Sequence, residues 1–108
     1  MTSFPFSILT PAGALAQGDA LFVGARSVEG ALGVLARHAP MVAASPSGVV
    51  RVQRADGWIY YATSAAILHT DGRGAVVLAG RAEARADEPS ALRTARDWER
   101  QQTADMQG

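Results

Sequence analysis

Few residues in this 108-residue chain have side chains that could do chemistry, and their neighbours restrict what that chemistry would be. There are two histidines, His38 and His69, and no cysteine, which excludes thiolate catalysis, disulfides and cysteine-ligated zinc. A metal site would need further ligands at suitable spacing, and no carboxylate cluster accompanies either histidine. His69-Thr70-Asp71 sets an imidazole and a carboxylate on the same face of an extended strand, a fragment of an acyl-transfer triad. The nucleophile that would complete it is missing: Ser64 lies in Thr63-Ser64-Ala65-Ala66 rather than in a G-x-S-x-G elbow. A serine in that setting suits a hydroxyl satisfying local backbone groups, and His69 to Asp71 suits a strand end entering a turn. Gly30 and Gly33 raise the question of a phosphate cradle, but neither GxxxxGK[ST] nor a helix-opening GxGxxG is present. The expectation is therefore no catalytic residue, no metal site, no nucleotide-binding site and no cofactor.

The densest cluster of special residues is the stretch 27–40, SVEGALGVLARHAP. Gly30 and Gly33 bracket Ala31 and Leu32, so the backbone is free to take φ > 0 on either side of a two-residue step, as a loop re-entering a sheet requires. Arg37 and His38 follow, and Pro40 holds Ala39 extended, which places the imidazole on a stiff corner. On composition alone this stretch is a connecting turn.

Short strands must position these residues. Phe4, Phe6 and Ile8 alternate with Pro5 and Ser7, predicting a strand with one buried face and Pro5 at its start or on an edge. Pro11-Ala12-Gly13 turns the chain into a return strand over 14–17, and Gly18-Asp19 turns it again before a strand over 20–25, with Leu21 and Val23 on one face and Phe22 on the other. Further strands are predicted over 41–44, around Val50 and Val52, and over 58–62, 65–69 and 75–79. Ser45-Pro46-Ser47-Gly48, Ala55-Asp56-Gly57 and Asp71-Gly72-Arg73-Gly74 supply the turns, the second as a hairpin. The spacing predicts a mainly β protein, an antiparallel sandwich or flattened barrel, followed by one carboxy-terminal helix. Asp87-Glu88-Pro89-Ser90 opens that helix, with acidic groups at the positive end of its dipole and proline where no N–H is needed. Leu92, Ala95, Trp98, Gln102 and Met106 form a thin stripe that needs a partner surface, and Arg93 with Asp97 is an i,i+4 pair. The boundaries are a sandwich over 1–87 and a helical tail over 88–108.

The length suits one domain with a single core, and 48% apolar residues argue for a globular chain rather than a disordered one. Ten acidic residues balance ten basic ones, all arginine, so the positive excess of a nucleic-acid binder is absent. The first residues lack a basic start and a continuous apolar run, so no leader is expected. No segment approaches the roughly 20 apolar residues that span a bilayer.

Gly30-x-x-Gly33-x-Leu35-x-x-His38-Ala39-Pro40, with Thr10-Pro11 upstream and Gly48 downstream, resembles the amino-terminal domain of the epsilon subunit of F-type ATP synthases, called delta in mitochondria. The resemblance covers residues 4 to 87. It implies a non-catalytic central-stalk subunit that couples the ring of c subunits to the gamma subunit during ion-driven ATP synthesis. By the resemblance, Glu29, Gly30, Ala31, Gly33 and His38 face the c-ring, and Thr10, Arg37, His38 and Ala43 face gamma. Pro40 and Gly48 shape the loop. The alpha and beta subunits would be reached indirectly, and the chain would sit peripherally on the cytoplasmic face of a bacterial inner membrane.

Three departures from the family pattern stand out. Many members carry an acidic residue where this chain has Ala31, leaving Glu29 to supply charge. Ala65-Ala66 replaces the usual pair of glycines after the serine. The family has a helical hairpin after the sandwich, whose extended form inhibits hydrolysis, whereas a chain ending at Gly108 has room for one helix. The family's ATP-binding segment corresponds to Glu88-Pro89-Ser90-Ala91-Leu92-Arg93, which keeps only Ala91, so neither nucleotide binding nor hairpin-type inhibition is expected. Two competing readings remain: a free-standing binding module that dimerises through its helix stripe, and a small hydrolase using His69 and Asp71.

Overall fold

The computed structural model describes residues 2–27 and 29–107, with side chains through residue 102. The alternation at the amino terminus produces strand β1 (Phe4–Thr10), with Phe4, Phe6 and Ile8 buried and Pro5 near the strand start. It is followed by β2 (Gly13–Ala20), β3 (Phe22–Ser27), β4 (Gly30–Val34), β5 (Met41–Ser45), β6 (Gly48–Arg54), β7 (Gly57–Thr63), β8 (Ala66–Thr70), β9 (Ala75–Ala79) and β10 (Ala82–Arg85). A single helix, α1 (Glu88–Gln107), closes the described chain.

The strands form two five-stranded sheets, ordered β2-β1-β9-β8-β5 and β10-β7-β6-β3-β4. Every pairing is antiparallel except that of β1 with β9, which run parallel from Phe6 opposite Ala75 to Leu78 opposite Leu9. The predicted antiparallel sandwich thus contains one parallel pair, because β9 is inserted beside the first strand rather than beside its sequence neighbour alone. Ile8, Leu68 and Val77 of the first sheet meet Val23, Val34, Val50 and Val52 of the second in a core where each is almost fully buried. Each such side chain contributes roughly 1.5–3 kcal/mol of burial.

Three local expectations change. Gly18 and Asp19 do not turn the chain; they lie inside β2, which breaks only at Leu21. Gly18 is needed there for another reason: it takes φ +136°, which strains any residue with a Cβ, beside the Arg54 guanidinium that reaches across from β6 to donate to the Gln17 carbonyl. The stretch 27–40 is not all loop, since five of its residues form the edge strand β4. A tenth strand, β10, lies where no strand was predicted, paired with β7.

Two-residue corners carry the chain between sheets. At the β7–β8 and β9–β10 corners, the Ser64 N–H donates to the Arg81 carbonyl at 2.9 Å and the Arg81 N–H donates to the Ser64 hydroxyl oxygen at 3.0 Å. This is the backbone-satisfying role anticipated for Ser64.

Helix α1 begins as its sequence predicts: the Asp87 carboxylate accepts the Ser90 N–H at 2.8 Å, capping the first turn, with Glu88 and Pro89 beside it. Its stripe differs by one position from expectation. Ala91, Ala95 and Trp98 are buried against Ala62, with Val49 and Tyr60 packed alongside, whereas Leu92 is half-buried and Gln102 exposed; the Met106 side chain lies outside the described residues. Two alanines one turn apart let the helix backbone approach the second sheet closely. The Arg81 guanidinium lies 4.4 Å from the Trp98 ring centre, and Arg51 approaches Glu88 at 3.8 Å. The stripe is therefore spent on the sandwich, not left for a second copy. Asp97 pairs with Arg100, three residues on, rather than with Arg93.

Candidate functional site

The residues of the 27–40 stretch spread along one edge of the second sheet. The Ser27 hydroxyl closes the β3–β4 tip, accepting the Glu29 N–H at 3.1 Å and donating to the Gly30 carbonyl at 3.2 Å, while Gly30 takes φ +134°. Gly30 pairs with Ser27 and Val34 with Val23, so the tip and the start of the next connection are separated by the length of β4, roughly 13 Å. Glu29, Gly30 and Ala31 thus sit at one end of the edge strand and His38 beyond the other. Gly33 lies between them in extended backbone, opposite Gly24, and its smallness has a packing cause. A Cβ there would come within 2.8 Å of the Phe22 ring, and one at Gly24 would meet the same ring at 2.8 Å.

The β4–β5 connection holds Arg37 and His38. Arg37 takes φ +63°, a left-handed conformation that no glycine signalled, and the His38 N–H donates to the Leu35 carbonyl at 3.2 Å. The imidazole Nδ1 lies 2.8 Å from the Ala39 carbonyl, and Pro40 with the His38 carbonyl packs beside Gly72 of the β8–β9 turn. Thr10 caps the opposite end of the first sheet: its hydroxyl oxygen accepts the Ala12 N–H at 3.2 Å and donates to the Gly13 carbonyl at 3.3 Å. Gly48 opens β6 after the Pro46-Ser47 corner. Ala43 lies on the inward side of β5, while its neighbours Val42 and Ala44 face out.

The outer faces of the two sheets differ. The second is partly covered by α1. The first presents two cross-strand rows. One runs Ala44, Ile67, Leu78, Leu9 and Ala14 over all five strands, every member apolar; the other runs Val42, His69, Val76, Ser7 and Gln17. Val42 is 67% exposed, Leu78 46% and Ile67 41%. Shallow apolar depressions flank Leu78, one beside Leu9 and Pro11 and one beside Ala44, Pro46 and Ile67. Sequence reasoning missed this face, although a signal was there: β9 reads Ala75-Val76-Val77-Leu78-Ala79, apolar at every position, and such a strand wants burial on both sides.

Beyond the second row, an open groove of about 470 Å³ is lined by Pro5, Gln17, Asp19, His69, Asp71 and Arg73. The Asp71 carboxylate accepts the Arg73 N–H at 2.8 Å and the Gly74 N–H at 3.0 Å. These backbone donors hold it below its ordinary value of 3.8, as they do for any carboxylate closing such a turn. Asp71 is thus a turn residue, and the Ser64 hydroxyl is engaged at the far end of β8; the triad fragment is not assembled. Among the described residues no group of three or more His, Asp or Glu side chains could hold a metal ion. No helix among them is long and apolar enough to cross a membrane.

The two-sheet sandwich thus carries a helix on one outer face and an exposed apolar row on the other. Residues 3–85 match the family described as the ATP synthase delta/epsilon chain beta-sandwich domain, and the chain belongs to that family. Among its relatives, the ATP synthase epsilon chain of Halalkalibacterium halodurans is 32% identical over 87 residues, covering 81% of this chain and 65% of the relative. The sodium-ion-specific ATP synthase epsilon chain of Propionigenium modestum is 33% identical over 82 residues, covering 76% and 60%. The matches span less than two thirds of these relatives' length. A chain in the Euglena gracilis mitochondrial ATP synthase OSCP/F1/c-ring assembly superposes with a TM-score of 0.72 at 20% identity, over 78% of this chain and 54% of the other, a likeness of fold.

Proposed function

We propose that this chain is an epsilon-type, non-catalytic central-stalk subunit of an F-type ATP synthase, joining the gamma subunit to the ring of c subunits so that rotation is transmitted without slip. Residues 1–87 are the coupling sandwich and 88–108 a short helical tail. The observation that carries the reading is the apolar row across the outer face of the first sheet, in a chain whose family is that of ATP synthase stalk chains. Gamma covers this face, with Thr10 at one end, Arg37 and His38 at the other, and Ala43 behind Val42 and Ala44. The c-ring meets the exposed edge, from Glu29, Gly30 and Ala31 at the tip, past Gly33, to His38. The alpha and beta subunits are reached only through gamma, and the chain is peripheral to the cytoplasmic face of a bacterial inner membrane. A torque-transmitting body must not deform, and a close-packed two-sheet core with few voids meets that need.

The test is the affinity of the purified gamma subunit for the wild-type chain and for Leu78→Glu. A carboxylate buried in the apolar row costs binding at least tenfold, or about 1.4 kcal/mol. Arg96→Glu on the exposed face of α1 leaves affinity unchanged. Equal binding by wild type and Leu78→Glu would move the gamma contact elsewhere; no binding by the wild type would remove it.

A further inference from the structure

The two outward rows of the first sheet contain ten side chains, of which one is titratable: His69. It stands exposed between Val42 of β5 and Val76 of β9, in register with both. We infer that docking of this face is proton-sensitive through His69, an inference that rests on the gamma-docking reading above.

A partner seated on Ala44, Ile67 and Leu78 has to cover the adjacent row, and so takes the imidazole out of water together with two valines. A neutral imidazole enters such a contact with one donor and one acceptor nitrogen to satisfy; an imidazolium brings two donors and a charge whose hydration must be given up. The groups around it do not hold that charge in place. From β5 and β9 it faces only Val42 and Val76, and from β1 only Ser7 and Pro5. The charged groups are at the rim: Asp19 of β2, and Asp71 and Arg73 of the β8–β9 turn, which line the open groove beside it. Asp71 is already committed to two backbone N–H groups and to the Arg73 cation of its own turn, and Asp19 lies at the groove's open rim. Desolvation by the partner therefore outweighs rim attraction that water continues to screen.

The sign follows. Binding favours the neutral ring, so affinity is full in the alkaline range and falls as pH drops through the range, about 5 to 8, in which histidines gain their proton. Histidine is the residue type suited to such a device because that range brackets physiological pH.

The experiment measures the affinity of purified gamma subunit for the folded full chain at pH 8.0 and pH 5.5, for wild type, His69→Gln and Arg96→Glu, with circular dichroism confirming the fold at each pH. Wild type loses roughly tenfold in affinity at the lower pH. His69→Gln flattens that slope to within about twofold, whatever its affinity at pH 8.0, and Arg96→Glu, on the exposed face of α1, retains it. A slope that survives in His69→Gln, or no slope in wild type, overturns the inference while leaving gamma docking intact. Failure of wild type to bind gamma at either pH overturns the docking reading and the inference with it.

Discussion

Gly33 offers the sharpest check on how this edge is built. It faces Gly24 across β3 and β4, and the Phe22 ring lies over both, so that an added Cβ at either position meets the ring at 2.8 Å. The ring is itself set edge-on to Trp58, with centroids 5.9 Å apart and planes at 64°. Gly33→Ala therefore has to push Phe22 off its seat. Overpacking of this kind costs about 1–3 kcal/mol, and displacing the aromatic pair accounts for about 0.5–1.5 of that. Alanine in a strand also recovers about 0.5–1 kcal/mol of backbone entropy relative to glycine. The net expectation is a loss of about 1–2 kcal/mol, or a Tm lowered by about 4–16 °C for a domain of this size. In a Phe22→Ala background the clash is gone, so the same substitution becomes neutral or stabilising by up to about 1 kcal/mol. Urea denaturation of the four proteins of this cycle, followed by circular dichroism, measures the coupling, expected near 2 kcal/mol. A Gly33→Ala cost that persists undiminished without Phe22 would refute the packing account and return Gly33 to a role in partner contact alone.

Two further outcomes are expected. Trp98→Ala removes the largest buried side chain of α1 and the cation contact with Arg81; because a helix in a protein is held mainly by packing of its apolar face, the 222 nm signal should fall while the unfolding midpoint of the sheets shifts little, and unchanged helicity would refute it. For Asp71 the folded carboxyl titrates below its ordinary value, so its contribution to stability is present above about pH 4 and lost as pH falls through the folded value. Asp71→Ala should flatten the stability profile below about pH 4, read by thermal melts at closely spaced pH.

The extent to which the sequence was legible varies by kind of signal. Alternation is a one-dimensional property, so the buried faces of β1 and β6 could be read from Phe4, Phe6, Ile8, Val50 and Val52. The cap at Asp87 and the Ala55-Asp56-Gly57 hairpin could be read too, because caps and tight turns are local chemistry. The glycine, histidine and proline landmarks between Gly30 and Pro40 were enough to indicate the family. Glycine roles were legible only in part. Gly18 and Gly30 do adopt positive φ, but Gly33 is explained by Phe22, whose ring lies over it.

What the linear chain determined was its pattern of alternating burial, its turns other than the one expected at Gly18-Asp19, and its helix start, since each of these is settled by residues within a few positions of one another. The tertiary structure alone decided that β9 lies beside β1, and hence that Leu9, Leu78, Ile67 and Ala44 form one apolar row. It also decided that Ala91 rather than Leu92 faces the sandwich, and that Glu29 and His38 stand at opposite ends of an edge strand. The physical reason is the same in each case: which residues share a surface depends on strand order and register, and these are fixed by contacts between positions far apart in the chain.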